Sequence, residues 1–209
     1  MKGTLRTDAL LRVLGVDPAA AGPTGYGIIE SDGRRSRMLH YGALSVADKI
    51  RNGSAGVALR AVHEKICALI AEFEPDVLAV ESIFTALNIK TALRLAEVRG
   101  VVLLAAAQHG LEVHSYAPRE IKSSVAGFGN ADKRQMQLMV RAILSMQETP
   151  DPADAADALA VALCHVQREE SCRRFGIPRP GSAARKSRSV LRNVPGAAQA
   201  QISRITAPR

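Results

Sequence analysis

The sequence predicts an α/β protein: a mixed five-stranded sheet flanked by helices. Two observations lead there. Three extended, apolar-rich segments come first, and helical and extended patterns then alternate to give the order β-β-β-α-β-α-β-α-α. No internal repeat at a solenoid period interrupts that order.

Each element has its own signal. Val13-Leu14-Gly15-Val16 is a continuous apolar run, suited to a buried strand over 12–17. Strands over about 24–30 and 36–46 contain Tyr26, Ile28, Ile29, Met38 and Tyr41, and the Gly-, Ser- and Asp-rich turns 20–23 and 31–33 make the three an antiparallel meander. Leu59, Val62, Ile66, Leu69, Ile70 and Phe73 recur at helical spacing until Pro75. Val77-Leu78-Ala79-Val80 then reads as a short parallel strand. A helix follows over about 91–109, ended by Gly110, and 113–116 is the fifth strand. Pro118 opens a short helical piece, and Gly127-Phe128-Gly129 reads as a flexible link. A helix over 131–146 buries Met136, Met139, Val140, Ile143 and Leu144. Asp151-Pro152 reads as an N-cap with Pro at the first position of a last helix running to about Gln167.

Composition narrows the function. No segment reaches the roughly 18 uninterrupted apolar residues of a membrane span, and residues 1–11 lack a signal-peptide core, so a cytoplasmic protein without membrane partners is expected. Cys67, Cys164 and Cys172 show no C-x-x-C spacing, which suggests neither disulfides nor zinc, and Cys67 and Cys164 read as buried thiols. The net charge of +8 is unevenly placed: nine cations and none of the 20 acids follow Glu170. The expected organisation is an N-terminal extension 1–11, a nearly neutral domain 12–170 and a basic, disordered tail 171–209. Such a tail is the electrostatic footprint of a nucleic-acid partner, or simply a solvated extension.

Four carboxylates carry the chemistry. Asp17 and Glu81 close apolar strands, and Asp154 and Asp157 share one face at the start of the last helix. Asp17-Pro18 also suits a strand-end turn, and Asp154 also suits a helix N-terminus. Glu81 and Asp157 have weaker structural explanations, since a strand's C-terminal edge is where α/β ligand sites collect. Carboxylates brought together repel one another unless positive charge intervenes. Two Mg²⁺ ions about 4 Å apart would supply that charge, activate a water and stabilise the leaving oxygen of a phosphodiester.

At these residues a family resemblance appears. Leu14-Gly15-Val16-Asp17-Pro18 with Thr24-Gly25-Tyr26-Gly27, then Glu81-Ser82-Ile83-Phe84, then Asp154-Ala155-Ala156-Asp157-Ala158-Leu159-Ala160, resemble the motifs of the RuvC family of bacterial Holliday-junction resolvases. Arg99-Gly100 and the stretch from Ile121-Lys122 through Gly127-Phe128-Gly129 to Lys133 are also similar, and the likeness spans about 12–167. The resemblance implies an RNase H-like fold, a homodimer, and Mg²⁺-dependent paired nicking of four-way DNA junctions in recombination and repair. It also implies two Mg²⁺ per site with Mn²⁺ able to substitute, and cooperation with the RuvA–RuvB branch-migration machinery. By motif, Asp17, Glu81, Asp154 and Asp157 would be the catalytic, metal-binding set, and Phe84, Asn88, Lys122 and Lys133 would contact DNA. Phe84 matches an aromatic that stacks on a base; Asn88 suits either base contact or helix capping. The chain departs from the family at Ala19, where glycine is usual, in a first turn one residue longer, and at Leu87, where some relatives carry lysine.

Two other classes fit less well. The Asp and Gly/Thr-rich first turn also suits an actin-like ATPase or sugar kinase, but the chain is too short for the second domain and has no Walker-type loop. A non-catalytic DNA-binding module would gain nothing from four acids facing phosphate.

Overall fold

A computed structural model describes residues 10–20, 22–45, 55–83 and 88–177. The chain divides into two compact units, Met1–Glu170 and Ser171–Arg209. The strands are β1 (Leu11–Asp17), β2 (Thr24–Ser31), β3 (Ser36–Leu44), β4 (Val77–Glu81) and β5 (Glu112–Tyr116). The helices are α1 (Ala55–Phe73), α2 (Ile89–Gln108), α3 (Pro118–Ala126), α4 (Lys133–Ile143) and α5 (Ala153–Phe175). The sheet order is β3-β2-β1-β4-β5, with β1–β2 and β2–β3 antiparallel and β1–β4 and β4–β5 parallel. The expected mixed five-stranded sheet is therefore present.

Strand alternation divides the core. Leu14, Val16, Ile28, Leu78 and Val80 face α1 and α2, where Val62, Ile66, Leu69, Val98 and Val102 complete one apolar layer. Val13, Ile29, Val77 and Ala79 face the other way, against Ile121, Val125, Met136, Val140 and the apolar stretch of α5. Full burial of each large aliphatic side chain contributes about 1.5–3 kcal/mol before chain entropy is counted. Because residues two apart share a face, Asp17 and Glu81 project on the same side as Val13 and Val77, towards α5.

That helix lies unusually close to the sheet. A Cβ added at Gly15 would collide with the carbonyl oxygen of Ala158, and one at Gly25 with that of Asp154. Main chain thus packs on main chain, bringing the start of α5 over the end of β1. Farther along, the buried His165 pairs through Nδ1 with the Tyr116 hydroxyl at 2.7 Å, tying α5 to β5.

Several boundaries differ from expectation. α4 begins at Lys133 rather than 131, because Asp132 accepts from the Gln135 amide and Gln135 returns the bond in a capping box. Met139 is exposed rather than buried, since Met136 and Val140 occupy the inward face. α5 starts at Ala153, after a cis Asp151–Pro152 bond, so the position before the helix belongs to Pro152 rather than Asp151. It also continues beyond Gln167: no Pro or Gly intervenes before Gly176, and Arg173 and Arg174 oppose the C-terminal dipole. The disorder expected from 171 therefore does not hold for 171–175, and the tail from 178 lies outside the described residues. Cys164 is buried as expected, whereas Cys67 is only partly so. Among the described residues, no helix is long and apolar enough to cross a membrane.

Candidate active site

β1 and β4 run side by side in the same direction, with Val16 paired to Val80. Their next residues, Asp17 and Glu81, consequently end together on the α5 side of the sheet. Asp157 enters from the first turns of α5, Lys122 from α3 and Lys133 from the start of α4. These five, with Pro118, Ile121, Met136 and Ala160, line a cleft of about 210 Å³. Its floor is apolar and its functional groups are charged. The chain just beyond Glu81 is held by Ser82, whose amide and hydroxyl both donate to the Tyr116 carbonyl, at 2.9 and 3.1 Å.

The electrostatics reflect burial among like charges. Desolvation, then the neighbouring Glu81, Asp157 and Asp154 charges, push the Asp17 carboxyl up to about 9, and a hydrogen bond with Glu81 adds to the rise. Glu81 is also raised by desolvation, although that shared bond and Lys122 work the other way. Asp157 is raised by desolvation, against the opposing influence of Lys133, whose Nζ lies 3.4 Å from Oδ2. Without a cation, these acids resist full ionisation.

Three of the four expected carboxylates thus meet in one cleft. Asp154 does not line it; its main chain rests on Gly25, and its charge still raises Asp17 and Asp157. Among the described residues, no three acid, His or Cys side chains form a ready-made metal cage. The donor set nevertheless fits a hard divalent cation, because all its donors are carboxylate oxygens and their repulsion needs positive charge. Mg²⁺ in particular keeps several waters and uses one or two carboxylates together with substrate phosphates, so an open site suits it.

Of the remaining residues, Asn88 caps α2, its side chain accepting from the Thr91 amide at 2.9 Å. This is the helix-capping alternative left open by the sequence. Phe84 lies outside the described residues. His114 and His165 lie against each other with their rings tilted by 46° and do not line the cleft, consistent with structural roles. Pro118, Ile121, Met136 and Ala160 were not anticipated as lining residues. Their apolar periodicity is the same for a cleft floor as for a core, so the sequence carries no signal that separates them.

The family model described as "Crossover junction endodeoxyribonuclease RuvC" matches residues 13–165. The chain belongs to the RuvC family. It is a nuclease of that family, and its sheet and helices have the RNase H-like fold of RuvC structures. Crossover junction endodeoxyribonuclease RuvC of Caldicellulosiruptor saccharolyticus is 41% identical over 162 residues, covering 77% of this chain and 95% of that protein. The Koribacter versatilis RuvC is 43% identical over 168 residues, covering 79% and 98%. Among solved structures, Thermus thermophilus RuvC in complex with a Holliday junction substrate superposes with TM-score 0.71 at 31% identity, covering 77% of this chain and 96% of that one. The RuvC match begins at Val13 and ends at His165, so it takes in every cleft-lining side chain.

Proposed function

We propose that this chain resolves four-way DNA junctions by Mg²⁺-dependent, paired symmetric nicking, in the cytoplasm, as a homodimer acting with the RuvA–RuvB machinery. The observation that carries the reading is the cleft: acids from β1, β4 and α5 share it with two lysines. It is supported by membership of a nuclease family, one of whose members has been solved with a Holliday junction substrate. Mg²⁺ held by Asp17, Glu81 and Asp157, with Asp154 beside them, would activate water and stabilise the leaving oxygen of the phosphodiester. Lys133 steadies Asp157 and, with Lys122, offsets acid charge that would otherwise repel the DNA backbone. Phe84 stacks on a base at the opened junction, and Asn88 contacts the nucleic acid through the part of its amide not engaged in capping.

The test is a synthetic four-way junction incubated with Mg²⁺ and then with EDTA. Paired nicks at symmetric positions, only with metal, are expected. Asp157→Asn should lower the cleavage rate by roughly 10³-fold, equivalent to several kcal/mol of barrier, while retaining junction binding. Near-normal cleavage by that variant would remove Asp157 from the site. Junction binding without nicking by the unaltered chain would favour a binding module instead.

A further inference from the structure

The loop between α3 and α4 presents an aromatic side chain that the cleft chemistry does not use. Phe128 is 48% exposed, in a chain with four Phe, three Tyr and no Trp. An exposed apolar residue is ordinary in itself. What sets this one apart is its mounting and its neighbours.

Gly127 ends α3 in the left-handed conformation, φ +83°, its amide bonded to the Ser123 carbonyl. Gly129 packs back on the same helix: a Cβ there would lie 3.2 Å from Ser123 Oγ and 3.5 Å from the Arg119 carbonyl. Buried Ala131 and the Asp132–Gln135 capping box then fix the entry to α4. The two glycines therefore serve a helix cap and a close approach, rather than the flexible link expected from the sequence. Between these anchors about half of the Phe128 side chain stays exposed.

The helices on either side of it are rich in cations, and the connection's own acid, Asp132, is engaged in the capping box. α3 carries Arg119 and Lys122; α4 carries Lys133, Arg134 and Arg141 and has no acid. Glu120, the one acid of α3, pairs with Arg168 at 2.5 Å. Lys122 and Lys133, on either side of the loop, both line the acid cleft. A ring held outward between phosphate-attracting helices is the arrangement by which proteins combine backbone attraction with base stacking.

We propose that Phe128 is a nucleic-acid contact, stacking on an unpaired base of the junction beside the cleft, in addition to the contact proposed for Phe84. The assignment rests on the junction-resolving function proposed above. Stacking involves no counterion release, so its energetic signature differs from that of a lysine.

The test uses the full chain, a fluorescently labelled synthetic four-way junction and a linear duplex, in EDTA so that cleavage is absent. Phe128→Ala should weaken junction binding by about five- to a hundredfold and leave the slope of log affinity against log salt unchanged. Its thermal midpoint should match the unaltered chain, since the ring makes no core. Phe128→Trp should restore affinity, and because the chain contains no other Trp, quenching of its indole on junction binding reports stacking directly. Unchanged affinity in Phe128→Ala, a reduced salt slope, or an indole equally quenched by linear duplex would each overturn the proposal. Nicking of the junction by the unaltered chain separates the two readings: if it nicks while the indole stays silent, only the Phe128 assignment fails.

Discussion

The two ends of β1 handle buried negative charge in opposite ways. At its start, Glu30 of β2 is nearly fully buried between Arg12 of β1, 2.8 Å away, and Arg37 of β3, 2.5 Å away. The three residues are directly paired in the sheet register, so both arginines reach the same carboxylate from neighbouring strands. Hydrogen bonds from Arg12 and Arg37 hold Glu30 below the usual carboxylate range. At the other end, Asp17 has acids as its neighbours and is pushed up to about 9. One end is neutralised within the protein; at the other, acids face acids. A buried acid alone therefore marks no site, whereas a buried acid whose partners are also acids is a candidate for one.

The contrast makes predictions, the largest at Glu30. Glu30→Ala would leave two arginines without their shared partner. It should cost about 1–3 kcal/mol, a figure kept modest because Arg12 and Arg37 side chains are 40% and 69% exposed. Thermal melting checks this, and cleavage by the protein that remains folded should be near normal. Asp17→Asn should do the reverse: abolish cleavage and raise the melting temperature of the metal-free protein at pH 8 by ~2–6 °C, because it removes the cost of burying that carboxyl among other acids.

The pH dependences also run in opposite senses. With its folded pKa lowered, Glu30 contributes stability above its unfolded pKa and loses it as pH falls through the folded value. With its folded pKa raised, Asp17 leaves stability intact below its unfolded value of 3.8 and erodes it as pH climbs towards about 9. Metal-free melting curves should therefore weaken at alkaline pH in the unaltered chain and flatten there in Asp17→Asn; an unchanged alkaline limb would break the comparison. The smallest effect belongs to Lys133→Ala, which should reduce the salt slope of junction binding by about one and leave stability within about 0.5 kcal/mol of the unaltered chain's.

Much of the site was legible because β4 ends where its apolar run ends, at an acid. Glu81 and Asp157 stood out in the sequence for want of a structural explanation, and both line the cleft. Asp154, for which helix-start chemistry was an alternative, lies outside the lining. Asp17 shows the limit of such reasoning: a strand-end turn explained it locally, and only the parallel pairing of β1 with β4 makes it Glu81's neighbour. Glu30 shows the same limit from the other side. Its pairing with Arg12 and Arg37 depends on register across three strands, which local periodicity does not encode. Asp151 was misplaced because a Pro at the first helical position and a Pro before the helix give the same dipeptide.

The close seat of α5 on Gly15 and Gly25 has a consequence for how the cleft keeps its dimensions. The helix bearing Asp157 is referenced to the strand bearing Asp17 through main-chain contact, without an intervening side chain that rotamer changes could lengthen or shorten. The spacing between the main chains that carry these carboxylates is therefore set by the fold. A single methyl group at Gly25 would displace a whole helix end, and a change that leaves every acid in place could retune the site.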